Sequence, residues 1–258
     1  MMALRKLLTA LRHPATASLA PRLGRRHLLE PRIFDLVSCL MQLRDLRALA
    51  RIRDSRPPDT FYAKVADYNA GVTERKVITT TRRAEIYYQI LSLPPRDPRV
   101  ETLLIVGPRN VHELLIAWLY GYRWRNIHAI DLYSTNPKIR VMNMEAMTFP
   151  DATFDAVVMS NTLAYARDTF QCFSEVARVL KPAGRFVFGA TFFPQGDDWP
   201  GNRVSGNDIR QMLKKLSLAI VFYSAFDKVN SLGGLQTAHI FGTQKSDPGS
   251  PGFDRIDW

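Results

Sequence analysis

The sequence predicts an α/β domain over residues 94–245, built on a seven-stranded, mostly parallel sheet with an antiparallel terminal strand and helices on both faces. Three observations predict it. Short apolar runs alternate with helical periodicity from Thr102 onward, as in a doubly wound sheet. The first run closes on Gly107-Pro108, a turn that ends a buried parallel strand. Two strand-like segments follow one another at the end, separated by Gly233-Gly234, as in an antiparallel pair.

Element by element, residues 102–106 (TLLIV) read as the first strand and Asn110 to Tyr120 as the first core helix, with Leu114, Leu115, Trp118 and Leu119 inward. Ile127 to Leu132 is the second strand and Val141 to Met144 a weak third. Phe154 to Ser160 (FDAVVMS) is the fourth. Thr169 to Leu180 is amphipathic and stops at Lys181-Pro182-Ala183-Gly184, before a fifth strand from Arg185 to Thr191. Asn207 to Leu216 is helical, with Ser205 or Asn207 as N-cap. Leu218 to Phe226 and Thr237 to Lys245 complete the sheet, and residues 246–258 form a Pro/Gly-rich tail.

The chain of 258 residues has room for this domain and an extension, and 46% hydrophobic residues suffice for a full core. Its net charge of +11 is unevenly placed. Residues 1–58 hold 12 Lys/Arg against 4 Asp/Glu, and the remaining 200 hold 23 against 20. The basic character therefore belongs to the arm, which weakens a nucleic-acid reading of the domain. Residues 1–29 are Arg-rich and acid-free, the profile of a mitochondrial transit peptide; the alternative is a basic amphipathic arm resting on anionic lipid in a cytoplasmic protein. Residues 31–55 repeat apolar side chains at helical spacing, Arg56-Pro57-Pro58-Asp59 marks a linker within 59–93, and residues 73–92 read as a further helix. Cys39 and Cys172 stand far apart and the five histidines lack ligand spacing, so no disulfide framework or metal site is expected and a reducing compartment is the simple inference. No apolar run approaches the ~20 residues needed to span a bilayer.

In open α/β sheets ligands bind beyond the C-terminal strand ends. Here those ends carry Gly107-Pro108-Arg109-Asn110 after strand one, Asp131-Leu132 after strand two, Glu145-Ala146-Met147 after strand three, and Asn161 to Tyr165 after strand four. A backbone turn, two acids and a polar-aromatic lip suit an adenosyl ligand. An acid ending strand two can accept both ribose hydroxyls, a side chain ending strand three can sit at the adenine edge, and N–H groups at the first helix can meet a carboxylate.

The segment FPDATFDAVVMSNTLAYARD…FSEVARVLKPAGRFVFG, residues 149–189, resembles the type 11 branch of class I S-adenosylmethionine-dependent methyltransferases. The likeness extends over Leu103 to Lys245 and is clearest at Phe149-Pro150, Phe154-Asp155, Glu175, Arg178 to Pro182 and Gly184. It implies a Rossmann-like fold, S-adenosyl-L-methionine as cofactor, and transfer to an unidentified acceptor, a small molecule or a lipid- or saccharide-linked group. It also implies that Asp131 is the ribose ligand, that Glu145 lies beside adenine with Ala146 and Met147 lining it, that Asn161 stands near the transferred methyl, and that Gly107 opens the cofactor loop.

Two departures stand out. The family's Gly-x-Gly-x-Gly reads Gly107-Pro108-Arg109-Asn110-Val111, and Arg109 can either pair with the cofactor's carboxylate or seal the pocket. Only 13 residues separate Asp131 from Glu145, with Asn136-Pro137 between them, so a tight loop over Tyr133 to Ile139 replaces a helix, placing Tyr133 and Ser134 near the ribose or adenine. Base candidates are Tyr165, Asp168, Asp197 and Asp198, none in a diagnostic motif, and Phe192, Phe193 and Trp199 are candidates for an acceptor wall. The alternative to an enzyme is a non-catalytic relative that binds RNA or a partner through its basic arm. A nicotinamide dehydrogenase is disfavoured because Gly-x-Gly-x-x-Gly is absent.

Overall fold

The structure is a computed structural model that describes residues 30–45, 60–75, 82–93, 96–134, 136–191, 204–229 and 235–247. Its centre is a seven-stranded sheet in the order β3-β2-β1-β4-β5-β7-β6. The strands are β1 (Leu103–Val106), β2 (Ile127–Asp131), β3 (Ile139–Val141), β4 (Phe154–Met159), β5 (Leu180–Thr191), β6 (Leu218–Val229) and β7 (Leu235–Lys245). The ladders β3-β2, β2-β1, β1-β4 and β4-β5 are parallel, and β7 runs antiparallel to both β5 and β6. The order turns around between β1 and β4, which makes the C-terminal ends of those strands the switch point.

Alternation along the strands divides the core. Leu103, Ile105, Ile127, Ala129, Ala156, Val158, Val187 and Ile240 face one side, under α1 (Pro31–Asp45), α3 (Glu85–Leu91) and α4 (Val111–Leu119). Leu104, Val106, Ile130, Val157, Met159, Phe186, Phe188 and Phe241 face the other, under α5 (Thr169–Val179) and α6 (Gly206–Lys215). The ring pairs Phe186–Phe188 and Phe188–Phe241 stack at 4.6 and 5.0 Å across β5 and β7. Because helices cover both faces of the sheet, α4 is buried over nearly its whole circumference.

Several boundaries differ from the sequence expectation. The third strand is Ile139–Val141, not 141–144, because it is a three-residue edge whose register to Ala129–Asp131 starts at Ile139. β5 begins at Leu180, which pairs with Phe154; residues 181–184 bulge out, with Ala183 at φ 56°, before the ladder resumes at Arg185. The predicted 73–92 helix is two elements, α2 (Thr60–Arg75) and the short α3, with residues 76–81 between them outside the described residues. Of the predicted 31–55 helix, 31–45 is described. Residues 1–29, the linker 56–59, residues 192–203 and the tail 248–258 also lie outside the described residues. Ser205 caps α6 in a capping box with Asp208, as its spacing suggests.

The residues carrying the family likeness over 149–189 act as braces. Arg178 donates to both oxygens of Glu175 at 2.8 Å and to the carbonyls of Met147 and Phe149, while Glu175 accepts the Met147 N–H at 2.6 Å. This clamps the loop after β3 to α5. The Lys181 ammonium donates to Asp155 at 2.8 Å, and Asp155 also accepts the Thr102 N–H, pinning the start of β4 against β1. Both contacts lie away from the strand ends and act on the fold.

Candidate functional site

The chain leaves β1 through Gly107, at φ +73°, where a Cβ would lie 2.3 Å from the Thr162 side chain. Glycine is required here by backbone conformation and by this close approach. The Thr162 hydroxyl donates to the Val106 carbonyl at 3.1 Å, locking the turn after β4 onto the turn after β1. Arg109 also takes the left-handed conformation, φ 57°, at a position where the family carries glycine. What holds it there is the backbone: the Arg109 N–H donates to Asp131 Oδ2 at 3.0 Å. Its guanidinium is half-buried and forms no ion pair among the described residues. Pro108 is buried beneath the turn.

Asp131 thus stands at the end of β2 beside Gly107 and Arg109. Its other oxygen accepts the Tyr133 N–H at 3.3 Å. Burial raises its pKa to about 6, against the pull of the Arg109, Tyr133 and Leu132 amides and of the Arg109 charge. The described part of the following loop has no helix, as its length and Pro137 require. Tyr133 is buried, and Ser134 is turned back on its own loop, donating to the Asn136 carbonyl at 2.8 Å.

Helix α1 reaches this site from outside the sheet. Asn110 caps α4, its side chain accepting the His112 N–H at 3.0 Å, and its amide donates to Gln42 at 3.1 Å. Gln42 donates to Ser38, whose hydroxyl is 2.6 Å from His112 Nδ1. At the end of α1, Asp45 accepts from Asn136 at 2.7 Å, and burial raises its pKa to about 6. One helix therefore holds both loops that flank Asp131.

Glu145 is nine-tenths buried, with Oε1 accepting the Arg167 N–H at 2.6 Å and Oε2 accepting the Tyr62 hydroxyl at 2.8 Å. The neighbouring Met147 is buried and Ala146 exposed. Tyr62 belongs to α2, which crosses the strand ends. The Arg167 guanidinium sits over the Phe61 and Tyr62 rings at 5.1 and 5.0 Å, and Tyr68 meets Tyr165 at 6.1 Å. α2 is thus a cover over the site, which the sequence reading missed because its residues are mixed and follow a Pro-Pro break.

After β4, Asn161 is exposed at φ 56°, and its amide donates to the Tyr87 hydroxyl at 3.0 Å. Tyr87 fits over Gly189, where a Cβ would meet its oxygen at 2.1 Å. Of the base candidates, Asp168 serves as N-cap of α5, accepting the Gln171 N–H. Burial raises Tyr165 to about 12, so it is a neutral phenol near pH 7. Asp197, Asp198, Phe192, Phe193 and Trp199 lie outside the described residues.

A further acid, which sequence reasoning passed over, lies between these groups. Glu113 in the first turn of α4 is 8% exposed and accepts the Ser160 hydroxyl at 2.6 Å. Burial raises its pKa to about 7; the Ser160 bond opposes the rise and the Asp131 charge adds to it.

The arrangement defines a class of fold. Residues 122–188 match the family model described as a methyltransferase domain. No curated protein matches the chain by sequence. Among solved structures, an S-adenosylmethionine-dependent methyltransferase of Methanosarcina mazei is 16% identical with a TM-score of 0.50, over 61% of this chain and 97% of that one. Geranyl diphosphate C-methyltransferase of Streptomyces coelicolor A3(2), in complex with Mg2+, geranyl diphosphate and S-adenosyl-L-homocysteine, is 17% identical at 0.53, over 77% and 87%. A phosphoethanolamine N-methyltransferase 2 of Haemonchus contortus, in complex with phosphomonomethylethanolamine and S-adenosylhomocysteine, is 12% identical at 0.55, over 72% and 59%. The fold is that of the S-adenosylmethionine-dependent class I methyltransferases, and the sequence of its centre carries their type 11 domain.

Proposed function

We propose that this protein is an S-adenosyl-L-methionine-dependent methyltransferase acting on a small-molecule or lipid- or saccharide-linked acceptor. The observation that carries the reading is Asp131. Its carboxylate is fixed at the end of β2 by two backbone N–H groups, beside a turn held in the left-handed conformation. Its remaining lone pairs suit a vicinal diol. Gly107 leaves the backbone open to close approach, the Arg109 guanidinium is available to a carboxylate, and Asn161 and Tyr87 edge the acceptor side. The cofactor supplies a methyl group activated on sulfonium. The chain's own part is to bind, orient and cover: Asp131 and the loop around Glu145 for the nucleoside, α2 against water.

Calorimetric titration with S-adenosylhomocysteine tests this directly. Wild-type protein binds it and Asp131→Ala abolishes binding; no heat at millimolar ligand refutes the reading. One observation favours a second reading, a non-catalytic relative serving as an assembly, RNA- or partner-binding factor. Both Glu145 oxygens are already engaged by the chain, so the adenine side is satisfied without ligand. The basic arm would then make the contact, with RNA or with a membrane surface in the cytoplasm, or in the mitochondrial matrix if residues 1–29 are a transit peptide.

A further inference from the structure

We infer that Glu113 is the counter-charge for the cofactor's α-ammonium, forming with Arg109 a two-point clamp for a zwitterionic amino-acid group. The inference rests on the cofactor reading above and assigns the residues that read the methionine moiety. A carboxyl removed from water is costly unless a cation faces it. Glu113 is 8% exposed, yet no Lys, Arg or His among the described residues pairs with it. Its one hydrogen-bond partner is the Ser160 hydroxyl, at the end of β4. The other groups that face it carry no positive charge: the Tyr87 and Tyr88 phenols on α3 and the Asp131 carboxyl at the end of β2. Tyr88 is fully buried with its hydroxyl unpartnered. Four residues earlier, across the Asn110 cap, the Arg109 guanidinium is the complementary case, a half-buried cation with no ion pair among the described residues. The two do not pair with each other. An unpaired cation and an unpaired anion flanking one helix start, beside the glycine turn, match a group that carries both charges on one carbon.

The test compares two ligands that differ only in that group. 5′-Methylthioadenosine keeps the nucleoside and thioether of S-adenosylhomocysteine and has no ammonium or carboxylate. In calorimetry, the wild type binds S-adenosylhomocysteine more tightly than 5′-methylthioadenosine. Glu113→Gln weakens the first by roughly tenfold or more and leaves the second unchanged. The retained 5′-methylthioadenosine affinity doubles as proof of an intact pocket. Because Glu113 sits near pH 7 when free, an arriving ammonium expels its proton to the buffer. Titrations at pH 6.5 in buffers of different ionisation enthalpy therefore show proton release in the wild type and none in the variant.

Equal losses for both ligands, or no loss for either, overturn the inference while leaving the cofactor reading in place, as does proton release that persists in Glu113→Gln. Should that variant fail to fold, zero proton release by the wild type overturns the inference alone. Failure of the wild type to bind either ligand removes the cofactor reading, and this inference with it.

Discussion

Two buried carboxyls, Glu101 and Glu113, stand at opposite ends of the same sheet and are treated in opposite ways. At the end where β1 begins, Glu101 is 6% exposed and receives the Arg185 guanidinium at 2.6 Å and the Tyr122 hydroxyl at 3.3 Å. Arg185 in turn donates to the Leu91 carbonyl at the end of α3. At the end where β4 stops, Glu113 is 8% exposed and has a serine hydroxyl and no cation. The first acid is satisfied by its own chain and closes the base of the domain. The second is left with charge that only a ligand can balance. Burial alone does not separate a structural acid from a functional one; the presence or absence of a cationic partner does.

The largest effect expected from this contrast is at the closed end. Glu101→Ala strands the Arg185 guanidinium in the interior and should cost about 3–5 kcal/mol in denaturant unfolding. A loss below about 1 kcal/mol would mean that Arg185 finds water or another acceptor, and that the two ends are less different than their geometry implies.

At the open end the sign reverses. The folded-state pKa of Glu113, about 7, is above its unfolded value of 4.5. The group's contribution to stability is therefore fully present below about pH 4.5 and lost as pH rises through 7. Glutamine can still accept the Ser160 hydrogen bond and never ionises. Glu113→Gln should thus match the wild type near pH 4.5 and exceed it by about 3 kcal/mol at pH 8, in the absence of ligand. Thermal melts across that range check it, and equal stability at pH 8 would show that the ionised carboxylate already has a partner. The same substitution is expected to weaken S-adenosylhomocysteine, so stability and binding move in opposite directions at this residue.

These effects mark where the sequence is readable. β1, β2, β4 and α5 follow from apolar runs and periodicity, and the Glu175–Arg178 and Asp155–Lys181 braces fall within a segment whose family likeness is evident. Asp131 is legible because an acid ending a second strand has one obvious use. Glu113 is not, because it lies in a helix whose outer face looks solvated until α1 and α3 cover it, and that packing is long-range. α2 is missed for a related reason: its contacts, Tyr62 with Glu145 and Tyr68 with Tyr165, lie far away in sequence, and nothing in its local pattern announces them. β3 slips by two residues because an edge strand of three has almost no periodicity to read.

The smallest expected effect concerns how α1 enters this comparison. Asn110 both caps α4 and donates to Gln42, so the loop with only one family glycine is braced by a helix from the basic extension. Serine at 110 keeps an oxygen for the cap but loses the amide donor. Asn110→Ser should therefore cost only ~0.5–1.5 kcal/mol of stability. If α1 merely thickens the core, S-adenosylhomocysteine affinity stays unchanged. If it substitutes for the missing glycines by fixing the turn from outside, affinity falls severalfold despite the small loss of stability, and Gln42→Leu reproduces that fall. The second outcome is expected, because the chain from Gln42 through Asn110 ends one residue from Arg109, whose left-handed backbone aims its N–H at Asp131.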